Sequence, residues 1–242
     1  MPPAGSCVGN TAYVETAGVT PGEPASPYRQ VESLNANVPL ARFRRTLGPP
    51  SSWNYLPDGR EYLFITPDYC VQAITDKNGL VVMYAVTALA PDFTPTFGYW
   101  GGESWKKVTL GITRFSQVAY PPSITWSLVY ADRYSYAEAH WLSGAAGFQT
   151  MVVGSNYLGK PTLASWEGMM GINGRVSRSE TKRIAPSRRT NVVNTFGMFA
   201  PATDMFGSIA PKQFVERGGW LGPTHWDLQS TTHSNGSGAS AN

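Results

Sequence analysis

The sequence predicts an α+β fold in which short helices pack on an antiparallel sheet, and three observations predict it. In VPLARFRRTLG, Leu40, Phe43 and Leu47 recur three and four residues apart, the spacing of one helical face. In EYLFITPDYCVQAITDKNGLVVMYAVTAL, two β-rich runs flank DKNG, a tight-turn sequence. From residue 108 onward the order helix, Pro-Pro, strands recurs, which reads as two tandem copies of one helix-plus-meander unit.

The elements follow in chain order. Residues 1–30 hold five prolines among Gly, Ser and Thr without periodicity and read as a flexible arm. Residues 31–92 form the first α+β unit. Pro39 suits the first turn of its helix, and Gly48 followed by Pro49 ends it. Val71, Ala73 and Thr75 alternate against Gln72 and Ile74 as a strand does. Asn78 and Gly79 suit the positive φ of a hairpin turn, and LVVMYAVTAL is the continuous apolar partner. The hard stop at Leu47-Gly48-Pro49-Pro50 therefore delivers the chain from a helix straight onto the first strand of a meander.

Residues 93–228 form the second, larger unit. VTLGITRFSQV (108–118) reads as its helix, with Ile112, Phe115 and Val118 on one face and Pro121-Pro122 as the stop. ITWSLVYADRYSYAEAHWL and GFQTMVVGSNYLG supply its strands. Residues 229–242 are polar and Gly/Ser-rich and read as a disordered tail.

Composition narrows the class. At 242 residues the chain can bury a substantial core, and 42% hydrophobic with 12% aromatic residues exclude wholesale disorder. Charged residues make up 14%, well below the roughly 25% usual in soluble domains. The surface should be covered by Ser, Thr, Asn, Gly and Tyr, as is common outside the cytoplasm. A net charge of +3 selects no particular partner. No window of about 18 apolar residues spans a bilayer, and the N-terminus lacks the pattern of a secretory signal. Cys7 and Cys70 have no metal-site spacing; two idle thiols or one disulfide both fit them.

The short helix, its Leu-Gly-Pro stop and the W…Y strand behind it resemble the unit shared by small outer-membrane assembly lipoproteins and β-lactamase inhibitory proteins. YCVQAITDKNGLVVMYAVTAL, VTLGITRFSQV and YSYAEAHWLSGAAGFQTMVVGSNYLG together resemble an uncharacterised bacterial domain family of the ETEC type, over roughly residues 35–200. The resemblance implies no activity. It implies membrane association through an N-terminal helix, which this chain does not show, so localisation stays open between an unknown site and an anchor absent from this chain.

Tests for chemistry return little. Three histidines are present, and no G-x-S-x-G elbow marks a nucleophile. GKPTLAS lacks phosphate-loop spacing, and GPPSS has two prolines where donors would be needed. RYSYAEAHW is the best polar cluster: on a strand, Tyr134, Tyr136, Glu138 and His140 point to one side. The expectation is an outward polar ladder. The alternative is a Glu138–His140 pair that relays a proton or binds a metal, although metal sites usually need three or four ligands.

Residues 175–189 are the basic candidate. Arg175, Arg178, Lys182, Arg183, Arg188 and Arg189 face Glu180 alone, a net +5 that leaves −2 for the rest of the chain. A solvated loop is expected, available to an anionic membrane or acidic protein; nucleic acid is less expected because aromatic platforms would also be wanted. FTPTFGYWGGESW (93–105) reads as a Gly-punctuated aromatic loop with Phe97, Tyr99, Trp100 and Trp105 as contact residues.

The expected function is a non-enzymatic interaction module of a bacterial cell-envelope or membrane-associated protein. A hydrolase-like or metal-dependent enzyme using Glu138 and His140 is the alternative, and a nucleic-acid binder through 175–189 is the third reading. No catalytic residue, metal ligand or cofactor is assigned. The expected partner is a protein or an anionic membrane surface, and a small-molecule ligand is left unspecified.

Overall fold

The structure, a computed structural model, describes residues 26–101, 104–118, 121–130, 133–144, 147–164, 168–169, 174–201, 214, 221–224 and 227. The tail expected over 229–242 lies outside the described residues, as does the arm up to residue 25.

Helix α1 (Pro27–Glu32) replaces the last residues of the expected arm. Pro27 suits its opening because the fixed φ is already helical and its missing N–H is not needed there. The Ser26 side chain accepts from the Arg29 N–H and caps it. Helix α2 (Leu40–Leu47) stands where the periodicity places it and buries Leu40 and Phe43. The Phe43 ring meets Tyr84 edge-on at 6.0 Å and Phe64 at 6.5 Å. Burying such a ring contributes about 2–3 kcal/mol. Gly48 ends the helix at φ 86°, ψ −166°. That is an extended conformation at positive φ, open essentially to glycine alone, and it is not the left-handed helical cap that helix stops commonly use.

Strands β1 (Ser52–Leu56), β2 (Gly59–Ile65), β3 (Tyr69–Asp76) and β4 (Val81–Ala88) follow as an antiparallel meander. The DKNG turn is present with one change. Gly79 takes positive φ (81°) and Asn78 does not. Asp76 accepts the Asn78 and Leu80 N–H groups on Oδ1, and its backbone N–H bonds to the Leu80 carbonyl. The loop therefore has three residues and ends on a glycine bulge.

The helix expected over 108–118 does not form. Residues 105–109 are strand β6 (Trp105–Thr109), which pairs with β5 (Thr96–Trp100) in a separate two-stranded ribbon. Gly111 then turns the chain, and only Phe115–Gln117 close a 3-10 turn. Phe115 and Val118 are buried while Ile112 is 62% exposed, so the periodicity marks no common face. With this helix absent, the helix, Pro-Pro, strand order is not repeated.

Strands β7 (Ile124–Tyr130), β8 (Arg133–Gly144) and β9 (Gly147–Ser155) form a second meander, with the short β10 (Gly174–Arg175) at its edge. Helix α3 (Arg178–Thr190) and strand β11 (Thr195–Phe199) complete the described elements. The large sheet runs β1-β2-β3-β4-β11-β9-β8-β7-β10. Strand β11 pairs antiparallel with both β4 and β9, so one continuous sheet carries both meanders. The fold is α+β and mostly sheet.

Apolar side chains cover both faces. One face packs Tyr62, Phe64, Val71, Tyr84, Val86, Phe196, Met151 and Val153 beneath the helices and the β5–β6 ribbon. The other packs Ile74, Met83, Ala85, Ala137, Val152 and Phe199 with Phe214 and Leu221. Strand β3, expected to alternate between core and solvent, is therefore buried from Tyr69 to Thr75. Cys70 is buried within it, and Cys7 lies outside the described residues. No helix among the described residues is long and apolar enough to cross a membrane.

Candidate functional site

Strand β8 presents Tyr136, Glu138 and His140 at successive i, i+2 positions, so all three project from one face, as the strand reading required. The outward ladder is overturned. Glu138 and His140 are fully buried and Tyr136 nearly so; Tyr134 is half-buried. The face is the one covered by α3 and the 3-10 turn, and apolar β9 partners stand alongside: Val153 opposite Glu138, Met151 opposite His140.

Two elements distant in sequence complete the cluster. Arg188, from α3, donates from Nε to Glu138 Oε1 at 2.8 Å and from Nη2 to the Phe115 carbonyl at 2.8 Å. Phe115 is held in place because its N–H bonds to the Asn191 carbonyl just past the end of α3. Its ring also meets Tyr136 edge-on at 5.5 Å. Tyr136 donates its hydroxyl to Glu138 Oε1 at 2.9 Å. Burial, then the charge of Glu138 and the bond to it, hold Tyr136 well above the ordinary phenol range, with Arg188 opposing. Tyr136 therefore stays a neutral donor at physiological pH.

Glu138 thus has two differently placed oxygens. Oε1 takes both donors, while Oε2 lies 3.2 Å from His140 Nε2 in poor hydrogen-bond geometry. Glu138 Oε2 and both ring nitrogens of His140 are buried without a hydrogen-bond partner. Leaving such groups unpaired costs about 1–3 kcal/mol each, so native cores rarely tolerate them without a reason. Among the described residues, no third His, Cys, Asp or Glu joins them to make a metal-binding group.

The basic run is not a loop. Ser177 and Glu180 form a reciprocal capping box: Ser177 Oγ accepts the Glu180 N–H at 3.2 Å and Glu180 Oε2 accepts the Ser177 N–H at 2.8 Å. These bonds, with Arg183 nearby, hold the Glu180 carboxyl below its ordinary range. Ile184, Ser187 and Arg188 share the inward face of α3. Arg175, Arg178, Lys182, Arg183 and Arg189 stay exposed. One of the six expected surface cations is thus the partner of the buried carboxylate.

The 93–105 aromatic segment is likewise not a loop over its described part: Thr96–Trp100 and Trp105 belong to the paired strands β5 and β6. Phe97 and Tyr99 turn inward, and Phe97 stacks on Phe196 with centroids 4.4 Å apart. Trp100 and Trp105 remain at the surface, at 37% and 63% exposure, edge-to-face at 6.0 Å.

Sequence reasoning missed Arg188 as a partner of Glu138, because fifty residues separate them and no local pattern links them. It also missed Glu61, buried on the opposite face, which accepts from Asn54 Nδ2 at 2.9 Å and Gln72 Nε2 at 2.6 Å. The S-x-x-E signature at Ser177–Glu180 was readable and would have identified α3.

Compared with family models, curated proteins and solved structures, the chain matches none of them. The family resemblance noted above rests on residue pattern alone.

Proposed function

We propose that the protein is a small-molecule-binding domain whose interior Glu138–His140 pair recognises a polar ligand and can exchange a proton with it. One observation carries this reading: a fully buried imidazole with neither nitrogen bonded, beside a carboxylate oxygen that is also unpaired. Arg188 and Tyr136 fix Glu138 through its other oxygen, so the free oxygen and the imidazole keep one orientation. A ligand offering one donor and one acceptor would satisfy both. A positioned, buried carboxylate and imidazole are the components of general acid–base catalysis.

The test needs no knowledge of the ligand. If His140 is kept for function at the expense of stability, His140→Leu leaves the protein as stable or more stable, because an apolar side chain has no unpaired atoms there. If the imidazole instead holds the core together, His140→Leu loses more than about 2 kcal/mol in urea unfolding, and the proposal fails.

A second reading, an interaction module at a cell envelope, is favoured by the β5–β6 hairpin. Trp100 and Trp105 stand exposed beside the exposed Lys106 and Lys107, and indole with ammonium suits an anionic membrane surface. Sedimentation with anionic and neutral vesicles decides it. Loss of anionic binding in Trp105→Ser/Lys106→Ser supports it, and unchanged pelleting refutes it.

A further inference from the structure

The helix stop at Gly48 places the arginine-rich end of α2 against the first strands of the sheet. Arg44 lies 5.6 Å over the Tyr62 ring. Tyr62 is the cross-strand partner of Trp53, so their side chains share a face. Trp53 and Tyr55 meet edge-to-face at 4.7 Å, and the Arg60 guanidinium sits over both rings, at 5.4 and 5.2 Å. Trp53 is 47% and Tyr55 71% exposed. Asn54 points to the opposite face and is bonded to Glu61, which fixes the strand between the two aromatic positions. The result is a patch of guanidinium groups and rings across the first two strands of the large sheet, with Trp53 and Tyr55 of the outermost strand facing solvent.

Its charge is uncompensated among the described residues. Arg42, Arg44, Arg45 and Arg60 are all exposed, and none forms an ion pair among the described residues. Between residues 40 and 66 the acidic side chains are Asp58, paired with Lys77, and Glu61, on the other face. A guanidinium lying over a ring keeps its in-plane N–H donors free for phosphate oxygens, and an exposed ring offers a face to a base. We infer that this patch binds single-stranded nucleic acid, its phosphates on the arginines and its bases stacked on Trp53 and Tyr55.

A lipid surface fits less well. The Arg60 guanidinium lies over each ring, so the pair presents a charged edge and no apolar wedge, and the neighbouring Pro49, Ser51 and Pro57 give acyl chains little to contact. A base, by contrast, is one more member of the stack. Duplex is also disfavoured, because its bases are already stacked on each other. The inference does not depend on the Glu138–His140 reading, which concerns the interior.

The test is fluorescence anisotropy with fluorescein-labelled twenty-nucleotide oligo-uridine and oligo-thymidine, the same length of duplex, and anionic vesicles as competitor. Single strands should bind more tightly than duplex at every salt concentration. Trp53→Ser and Tyr55→Ser should each weaken binding by about 5- to 150-fold without altering the salt slope. Arg44→Ser and Arg60→Ser should each reduce the slope of log K against log salt by roughly 0.7. If Trp53→Ser disturbs folding by circular dichroism, Tyr55→Ser decides, since that ring is mostly in solvent. Absence of binding at low salt overturns the inference. So does binding that responds to the arginines and not to Tyr55, which would be bare polyanion attraction, or displacement of the oligonucleotide by vesicles in wild type and Tyr55→Ser alike.

Discussion

Replacing Arg188 with leucine strips the buried Glu138 carboxylate of its only described cation and removes the bond to the Phe115 carbonyl. With charge centres about 4 Å apart and an effective dielectric near 20, the lost attraction is about 4 kcal/mol. The neutral bond to Phe115 adds about 1 kcal/mol. Arg188→Leu should therefore cost about 5 kcal/mol. Urea unfolding followed by tryptophan fluorescence measures it. The double variant Arg188→Leu/Glu138→Leu should recover most of the loss, since removing both partners of a buried pair is often neutral. A deficit below about 1 kcal/mol, or a double variant no more stable than Arg188→Leu alone, would refute the reasoning.

Three further outcomes are expected. Gly48→Val should destabilise by about 1–3 kcal/mol from backbone strain alone, because a Cβ at Gly48 would meet nothing within 4 Å; an unchanged denaturation midpoint would show that the helix stop relaxes freely. Tyr136→Phe should cost about 2 kcal/mol at pH 7, the worth of a hydrogen bond to a charged acceptor, and a smaller loss than an ordinary neutral bond would show Arg188 alone satisfying Oε1. Ser177→Ala should destabilise by about 1 kcal/mol through the lost cap. Because these bonds depress the Glu180 carboxyl, that group's share of the effect is present above the unfolded carboxyl range and disappears as pH falls through the lowered folded value. Thermal melts at pH 7 and pH 3 should show a larger wild-type advantage at pH 7, and the reverse order would contradict the capping box.

The first half of the fold was legible because its signals are local. Leu40, Phe43 and Leu47 fall on one helical stripe with Gly48 behind them, and DKNG lies between two apolar runs with no competing pattern. At 108–118 the same rule misled. Ile112, Phe115 and Val118 have helical spacing, yet Gly111 breaks the segment at φ 75° and the strand pairing of Lys106 to Thr109 with β5 claims the backbone before a helix can start. In α3 the opposite happened: dense charge argued for a loop, and the capping box with inward Ile184 and Ser187 outweighed it, even with Pro186 inside the helix. The site was half visible. Period two along β8 aligned Tyr136, Glu138 and His140, but which face is buried depends on α3 arriving above it, and nothing local to RYSYAEAHW encodes that.

The position of β11 has a consequence for the nascent chain. Residues 195–199 are made after both meanders, yet they are the strip that bonds β4 to β9. Until they emerge, the ribosome holds two half-sheets whose innermost strands, β4 and β9, each lack a neighbour on one side. Those strands are apolar on both faces, with Val81, Met83, Ala85 and Val86 in one and Met151, Val152 and Val153 in the other. An open, apolar strand edge is a template for pairing with another chain. Any product that stops short of residue 195 should therefore aggregate rather than persist as a truncated domain, and the last-made strand decides whether the first-made ones are safe.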